Sequence, residues 1–274
     1  MEGGEIRCWD ELIPDALGLI FSKLSLKEKL TVIPRICKPW SKALMGPYSW
    51  QEIDIAQWCY DHYQPELLDR MLRMLIGFSG SPRELSVYNI PNDAIFSFIA
   101  DHAGSLETLQ IPYSQISDSI VEKVAGRMCA ITFLDLSYCY NIGPRALEAF
   151  GRNCRLLSGL RRAKGSFCSV NEEAHAIATT MPELKHLEIN YMLITAEGVF
   201  DIISGCPKLV YLDVRNCRYS KVSEKFLKEK YPGLNVPLYY FYDEITFENL
   251  PTTFSSVVLE MDVEEDMWDY DEDL

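Results

Sequence analysis

A short apolar pattern repeats through most of the chain. An apolar residue is followed by two variable residues, a second apolar residue, one variable residue and a third apolar residue. The full copies are Leu106-Leu109-Ile111, Ile131-Leu134-Leu136, Leu184-Leu187-Ile189 and Leu209-Leu212-Val214. The partial copies are Trp50-Ile53-Ile55, Leu85-Val87 and Leu157-Leu160, the last with Arg162 in its third apolar place. The central positions (53, 85, 109, 134, 160, 187, 212) lie 24 to 32 residues apart. Because alternating apolar residues are typical of strands, each copy predicts a short β-strand.

An amphipathic segment follows most of these strands, which predicts one helix per repeat. The predicted helices span 64–77, 93–102, 117–127, 144–153, 171–179, 195–204 and 223–231. Ser117 and Thr195 are suited to cap their helices. A unit of one strand and one helix cannot bury both faces alone, so neighbouring units must stack. We therefore predict an α/β fold: a short leucine-rich-repeat solenoid of about seven strand-helix units, with parallel strands on a concave face.

A different pattern occupies residues 9–40, where the apolar residues have helical spacing. Ser25 and Glu28 are placed to form a capping box, and Pro34 is expected to stop or kink the chain. The pattern predicts three short helices. Such a small unit buries too little surface to be stable alone, so it needs support from another surface.

This segment resembles the F-box, the helical module that binds Skp1-type adaptors in cullin-RING ubiquitin ligases. The resemblance covers residues 8 to 52, with Ile13-Pro14 where the family usually has Leu-Pro. The matching positions are Leu12, Ile13, Pro14, Leu17, Ile20, Phe21, Leu24, Leu30, Ile36, Cys37 and Trp40. Cys37 apart, the resemblance implies that these side chains bind the adaptor. A helical cap that merely packs on the domain behind it is the alternative.

The nine cysteines are better explained by a structural role in the repeat than by a disulfide framework, a zinc site or redox chemistry. With no visible signal peptide they indicate a reducing compartment, and the absence of a Cys-x-x-Cys pair argues against a common zinc site. Two of them, Cys139 and Cys217, lie five residues after a strand centre. Three others, Cys129, Cys154 and Cys206, lie five or six residues before one. They resemble the cysteine-containing subclass of leucine-rich repeats that is frequent behind F-boxes, including plant ones. We expect structural thiols.

Charge and hydropathy exclude two further classes of function. The formal net charge is −14, and eight of the acids lie from residue 262 onward. An acidic surface is unsuited to general nucleic-acid binding. No apolar run is long enough to span a membrane, and the start of the chain lacks a secretory signal. We predict an intracellular protein of the nucleus or cytoplasm, with an F-box-like module at 8–49, a solenoid at 50–240 and a disordered acidic tail at 241–274.

No catalytic, cofactor-binding or metal-binding motif is found in the sequence. The four histidines are scattered, and phosphate-loop and nucleophile-elbow patterns are absent. The F-box resemblance therefore implies a non-catalytic substrate receptor that needs no cofactor: the adaptor links it to a cullin-RING core, and the repeats bind a protein target. Strand register predicts a target-binding concave face that includes Gln110, Phe133, Asp135, Arg161, His186, Glu188, Tyr211, Asp213 and Arg215.

Two other functions fit the same sequence. The chain could be a repeat scaffold whose N-terminal helices only cap the solenoid. It could also bind a Skp1-type adaptor without joining a cullin and act by sequestration.

Overall fold

Seven three-residue strands form one parallel sheet in the part of the chain that the structure describes. The computed structural model describes residues 12–62, 64–165, 170–215, 217 and 224–237. The strands follow the order of the chain: β1 (Glu52–Asp54), β2 (Glu84–Ser86), β3 (Thr108–Gln110), β4 (Phe133–Asp135), β5 (Gly159–Arg161), β6 (His186–Glu188) and β7 (Tyr211–Asp213). The predicted acidic tail at 241–274 lies outside the described residues.

The strand centres predicted from the sequence are paired in register. Ile53 pairs with Leu85, and the same row continues through Leu109, Leu134, Leu160, Leu187 and Leu212. All seven side chains are almost fully buried. Beyond β7, Asn235 forms one more parallel bridge, to Tyr211. The prediction of parallel, stacked strands is confirmed.

Among the described residues, four α-helices precede β1, seven lie between successive strands and one follows β7. The helices between β2 and β7 pack against their neighbours in chain order. In chain order, the α-helices are α1 (Pro14–Phe21), α2 (Leu26–Thr31), α3 (Ile33–Ile36), α4 (Lys38–Leu44), α5 (Ala56–Asp61), α6 (Pro65–Ser79), α7 (Asp93–Asp101), α8 (Asp118–Val124), α9 (Pro144–Asn153), α10 (Asn171–Thr180), α11 (Ala196–Gly205) and α12 (Glu224–Lys230). Helices α6 to α12 agree with the predicted segments within a few residues at each end. Helix α5 was not predicted.

Side chains at the helix starts tie each repeat to the next one. The Ser117 hydroxyl accepts the Ile120 N–H, as predicted for a cap, and itself donates to Asp93 of the preceding repeat at 2.6 Å. Thr195 caps α11 in the same way, and its N–H donates to Asn171 at 3.1 Å. The caps therefore stabilise the stacking of repeats as well as single helices.

The N-terminal segment contains four short helices, so the prediction of three is wrong. Pro34 lies in the first turn of α3 and Pro39 in the first turn of α4. Each proline begins a new helix because it lacks the N–H that would continue the previous one. The predicted capping box of α2 is confirmed: Ser25 accepts the Glu28 N–H, and Glu28 accepts the Ser25 N–H.

Arg162 replaces an apolar residue in the repeat and is fully buried. Its guanidinium donates to the carbonyl oxygens of Leu136 (2.8 Å), Cys139 (3.1 Å) and Ile142 (2.7 Å), and it pairs with both carboxylate oxygens of Glu173. A leucine here could satisfy none of these acceptors. The arginine instead joins the loop after β4 to helix α10.

We predict that Arg162→Met lowers the free energy of unfolding by about 3–5 kcal/mol, because it leaves a buried carboxylate and several buried carbonyls without their main donor. Urea unfolding followed by circular dichroism measures the loss. Arg145→Met is the matched control, since it removes an exposed, solvent-screened pair with Glu122 and should leave the free energy of unfolding nearly unchanged. Equal losses in the two variants would contradict the structural role of Arg162.

Candidate functional site

The N-terminal helices bury one side and leave the other open. Leu17 and Phe21 are each 1% exposed, and the Trp40 ring lies 5.2 Å from the Phe21 ring. Leu24 and Leu30 are partly buried against the same core. Leu17 and Phe21 therefore have no free surface for an adaptor. Their prediction as adaptor contacts is corrected to a packing role, since residues four apart on α1 share the inward face.

The remaining predicted residues of this module are exposed. Ile13 (68%), Ile36 (51%), Ile20 (43%) and Leu12 (37%) are apolar, and Pro14 is exposed beside them. Ile13 is the residue immediately before α1, and Ile20 lies in the last turn of that helix. Large exposed apolar residues that the sequence did not single out are Leu19, Val32, Met45 and Tyr48. We define the exposed residues Leu12, Ile13, Leu19, Ile20, Val32, Ile36 and Met45 as the apolar patch.

From the sequence, these additional exposed apolar residues can be recognised only by their position around a helix. Leu19 lies about 200° around α1 from Leu17, so it falls on the outward side while being apolar. Single exposed apolar residues are ordinary, but seven of them within residues 12–45 make this module the candidate interface of the chain.

Trp50 anchors the helices to the sheet. Its indole N–H donates to the carbonyl of Leu44 at 2.7 Å, and its ring lies 6.1 Å from the Phe78 ring of α6. The ammonium of buried Lys29 lies 4.5 Å from the Trp50 ring, and burial lowers the pKa of that lysine. Gly18 is also required for close packing, because a Cβ there would lie 2.8 Å from Cβ of Tyr48.

The residues that flank the strand centres form the open face of the sheet. Toward its C-terminal end, their charges are paired within the chain. Arg161 binds Glu188 through two N–H groups at 2.8 and 3.1 Å, and it reaches Asp135 at 3.3 Å. His186 contacts Glu188 at 2.9 Å and stacks on Tyr211 with centroids 4.3 Å apart. The Arg161 hydrogen bonds are the main cause that holds the pKa of the Glu188 carboxyl below its usual range, with His186 adding to it.

Asp135 and Asp213 are buried, whereas the sequence predicted that they face solvent. Each carboxylate accepts the backbone N–H two residues later, from Ser137 at 2.8 Å and from Arg215 at 3.0 Å. This local turn folds the aspartate back on the backbone at the strand end. An arginine then covers each one: Arg161 covers Asp135, and Arg215 covers Asp213.

Other predicted residues of the open face are partly exposed. Gln110, Phe133 and Tyr211 are of intermediate exposure. Phe133 leans over Gly159 on the next strand, where an added Cβ would lie 2.6 Å from the ring, and the Arg161 guanidinium lies 5.8 Å from the ring centre. Phe133 is therefore part of the paired cluster on this face and not an isolated aromatic anchor.

The similarity of the chain to known proteins agrees with this architecture. No protein-family model matches it. It is 51% identical over 253 residues to the F-box protein FBW2 of Arabidopsis thaliana, which covers 89% of this chain and 80% of the relative. It is 32% identical to the F-box protein SKIP1 of the same plant, over 84% of this chain and 88% of the relative. The putative F-box/LRR-repeat protein 23, also from Arabidopsis, is 30% identical over 79% of this chain and 50% of that protein. The chain belongs to the plant F-box/leucine-rich-repeat family.

The cysteines of this F-box/leucine-rich-repeat protein are mostly part of its core. Cys139, Cys154, Cys206 and Cys217 are buried, and three of their thiols donate to backbone carbonyls of the preceding repeat. Cys129 was expected among them but is exposed. It lies one residue nearer its strand centre than Cys154 and Cys206 do, so Met128 takes the buried position. Cys8 and Cys168 lie outside the described residues.

Within the described ranges, no group of three or more histidine, cysteine and acidic residues could hold a metal ion. In the same part of the chain, no helix is both long and apolar enough to cross a membrane.

We predict that, at pH 8, exposed and buried cysteines of the folded F-box protein are alkylated at very different rates. Burial raises the pKa of Cys139 and Cys206 to about 11 and of Cys154 and Cys217 to about 12, so almost none of these thiols is ionised. The thiolate is the reactive form. Iodoacetamide should label Cys129 at least about a hundredfold faster than these four, as measured by peptide mass spectrometry. Equal labelling in urea is the control, and fast native labelling of Cys139 would contradict its buried placement.

Proposed function

We propose that this protein is the substrate-receptor subunit of a Skp1–cullin–F-box ubiquitin ligase. The N-terminal module, residues 8–49, docks a Skp1-type adaptor, and through it the cullin-RING core. The solenoid, residues 50–240, binds the protein to be ubiquitylated. Other subunits transfer ubiquitin, so this chain needs no catalytic residue or cofactor of its own. The complex works inside the cell, in the nucleus or cytoplasm.

The apolar patch is the observation that carries the proposal. Ile13, Ile20 and Ile36 are exposed on helices whose inward side is already packed, so they are not core residues left open by poor packing. Burying one such side chain contributes about 1.5–3 kcal/mol. A partner that covers several of them gains enough free energy for stable binding.

The second support is the join between the module and the sheet. Trp50 contacts α4 and α6, and Ile53, three residues later, belongs to the buried row of strand centres. The adaptor surface and the open face of the sheet thus share one core. A receptor with a fixed join holds its target at a set distance from the transferring enzyme, which raises the effective concentration of target lysines.

We predict that Ile13→Asp combined with Ile20→Asp weakens binding to a purified Skp1-type adaptor by at least about a hundredfold, because two apolar contacts are lost and two charges are placed in the interface. Isothermal titration calorimetry measures the affinity. Thermal unfolding of the free variant should be unchanged, since both positions are exposed.

Leu156→Asp combined with Val210→Asp is the matched control, because both residues are exposed apolar positions before strands of the solenoid. This control should bind the adaptor like the wild-type chain. Leu17→Ala with Phe21→Ala is unsuitable, since it removes core contacts.

Two results would overturn parts of the proposal. If the wild-type chain does not bind the adaptor, the N-terminal helices only cap a scaffold. If it binds the adaptor but cullin never joins the complex and no ubiquitylation is reconstituted, the chain acts by sequestration.

A further inference from the structure

The N-terminal module is basic, whereas the chain as a whole is strongly acidic. Residues 12–49 contain six basic and two acidic residues, a formal charge of +4, while the whole chain carries −14. The rest of the chain therefore carries −18. The apolar patch thus lies on the part of the chain whose charge is opposite to that of the remainder.

Helix α3 places one of these basic residues beside the apolar patch. Arg35 is exposed, as are the patch residues Val32 and Ile36. Arg35 and Ile36 lie three and four residues after Val32, so the three side chains share one side of this helical turn. Ile33 is only 4% exposed and faces the core instead.

Helix α4 repeats the arrangement with two lysines. Lys38 and Lys42 are exposed and one turn apart, and the patch residue Met45 follows Lys42 by three residues. This spacing places all three along one side of α4. The buried residues Ala43 and Leu44 lie on its inward side. We call Arg35, Lys38 and Lys42 the cationic rim.

The cationic rim has no partner within the described ranges. Arg35, Lys38 and Lys42 form no ion pair and no side-chain hydrogen bond there. In the solenoid, by contrast, eight of the ten described arginines are paired with a carboxylate. The two acids of the module do not compensate the rim, because Glu28 serves the capping box of α2 and Asp15 lies in the first turn of α1. The rim is therefore available to charges on another molecule.

The charges on α4 do not stabilise that helix. Lys38 and Lys42 are one turn apart, and like charges at that spacing repel each other. Lys38 is also the first residue of α4, where the helix dipole disfavours a cation. Carboxylates of a partner placed beside these side chains would relieve both effects.

The distribution of charge also sets the chemistry of the partner. A basic surface placed on the apolar patch would meet the rim at close range, and unpaired like charges across an interface are strongly unfavourable. An acidic surface is attracted by the rim and repelled by the remainder of the chain. Since charges are screened beyond about 10 Å at 0.1 M salt, an approaching partner responds to the nearby rim more than to the distant net charge.

We infer that the adaptor presents a cluster of aspartate or glutamate side chains beside the apolar surface that covers the patch, and that the cationic rim attracts and orients this cluster during association. The guanidinium of Arg35 can pair with a carboxylate through two parallel hydrogen bonds, whereas the two lysines act as point charges. Charges at the rim of an interface govern mainly the association rate. The inference rests on the proposed function, because it names the chemistry of the adaptor surface that the module recognises.

Stopped-flow mixing of the full chain with a fluorescently labelled Skp1-type adaptor tests the inference. The association rate constant of the wild-type chain should fall at least about tenfold between about 0.05 and about 0.5 M sodium chloride, because salt screens the attraction. The dissociation rate constant should change less than about threefold, since apolar contacts hold the complex together.

The decisive variant combines Arg35→Gln, Lys38→Gln and Lys42→Gln, which removes the charge of the rim and keeps the side chains polar. At about 0.05 M salt it should associate at least about tenfold more slowly than the wild-type chain and lose most of its salt dependence. Its dissociation rate constant should stay within about threefold of the wild-type value, because the apolar patch is intact.

The matched control combines Lys123→Gln, Arg155→Gln and Lys185→Gln. These are exposed basic residues of the solenoid that form no ion pair among the described residues, so the change in net charge is the same. The control should associate within about twofold of the wild-type rate. Circular dichroism should show the same thermal unfolding for both variants and the wild-type chain.

Zero-length cross-linking is a second measurement that needs no variant. A carbodiimide joins a lysine amine to a carboxylate only where the two are in contact. In the wild-type complex, Lys38 or Lys42 should be linked to aspartate or glutamate of the adaptor, whereas Lys123 and Lys185 should not. Peptide mass spectrometry identifies the linked residues.

An unchanged association rate in the rim variant would overturn the inference. An equal slowing of the solenoid control would also overturn it, because it would indicate attraction by net charge alone, as would the absence of cross-links from both Lys38 and Lys42. If any of these results is found while the adaptor still binds the wild-type chain, the proposed function stands. Failure of the wild-type chain to bind the adaptor would overturn both.

Discussion

The whole structure depends on stacking of units that cannot bury their apolar side alone. Each strand is three residues long, so only its central side chain points inward, and that side chain is covered by the equivalent residue of the next repeat. Burial of one leucine contributes about 1.5–3 kcal/mol, which is small beside the cost of ordering a repeat of about 25 residues. A single repeat is therefore unstable, and only the continuous row of stacked strand centres is stable. The flanking residues of each strand lie on the other side as a consequence and form the open face, where arginines cover Asp135 and Asp213.

The same constraint explains how four short helices hold a defined position. Trp50 lies between them and the sheet, with its N–H on Leu44, its ring near Phe78 and the Lys29 ammonium over it. Leu17 and Phe21 fill the inward side, which leaves Ile13 and Ile20 outside. The adaptor-binding surface that we propose therefore consists of the apolar residues of these helices that the core of the chain does not cover.

Residues whose role is set by burial at a regular period could be predicted from the sequence. The seven strand centres, the caps at Ser117 and Thr195 and the capping box of α2 belong to this class, because each depends on neighbours at fixed spacing. Residues whose partners lie elsewhere could not. The burial of Arg162 depends on Glu173 and on three carbonyls 20 to 26 residues before it, and the burial of Asp135 depends on a turn and on Arg161. The hydrophobic pattern predicts on which face of a strand or helix a residue lies, but it does not predict which distant side chain will cover that residue.

Two features of the chain depart from local sequence preferences: the buried arginine in the apolar pattern and the tyrosines with left-handed backbone. Arg162 breaks the apolar pattern, yet it is matched inside the fold by five acceptor contacts, so its presence is explained by stability. Tyr113, Tyr138 and Tyr191 break the backbone preference for asparagine or glycine, since their φ values of 61°, 59° and 56° lie in the left-handed region. Local rules are most often broken at functional sites, where a side chain is kept for what it binds. The Tyr113 ring, however, lies 5.0 Å from the Tyr88 ring and 4.5 Å from the Tyr138 ring, so these side chains are in contact from one repeat to the next. Ring contacts of this kind contribute about 0.5–1.5 kcal/mol each, so contacts between neighbouring repeats offset much of the backbone strain, just as the buried hydrogen bonds of Arg162 explain its place in the apolar pattern.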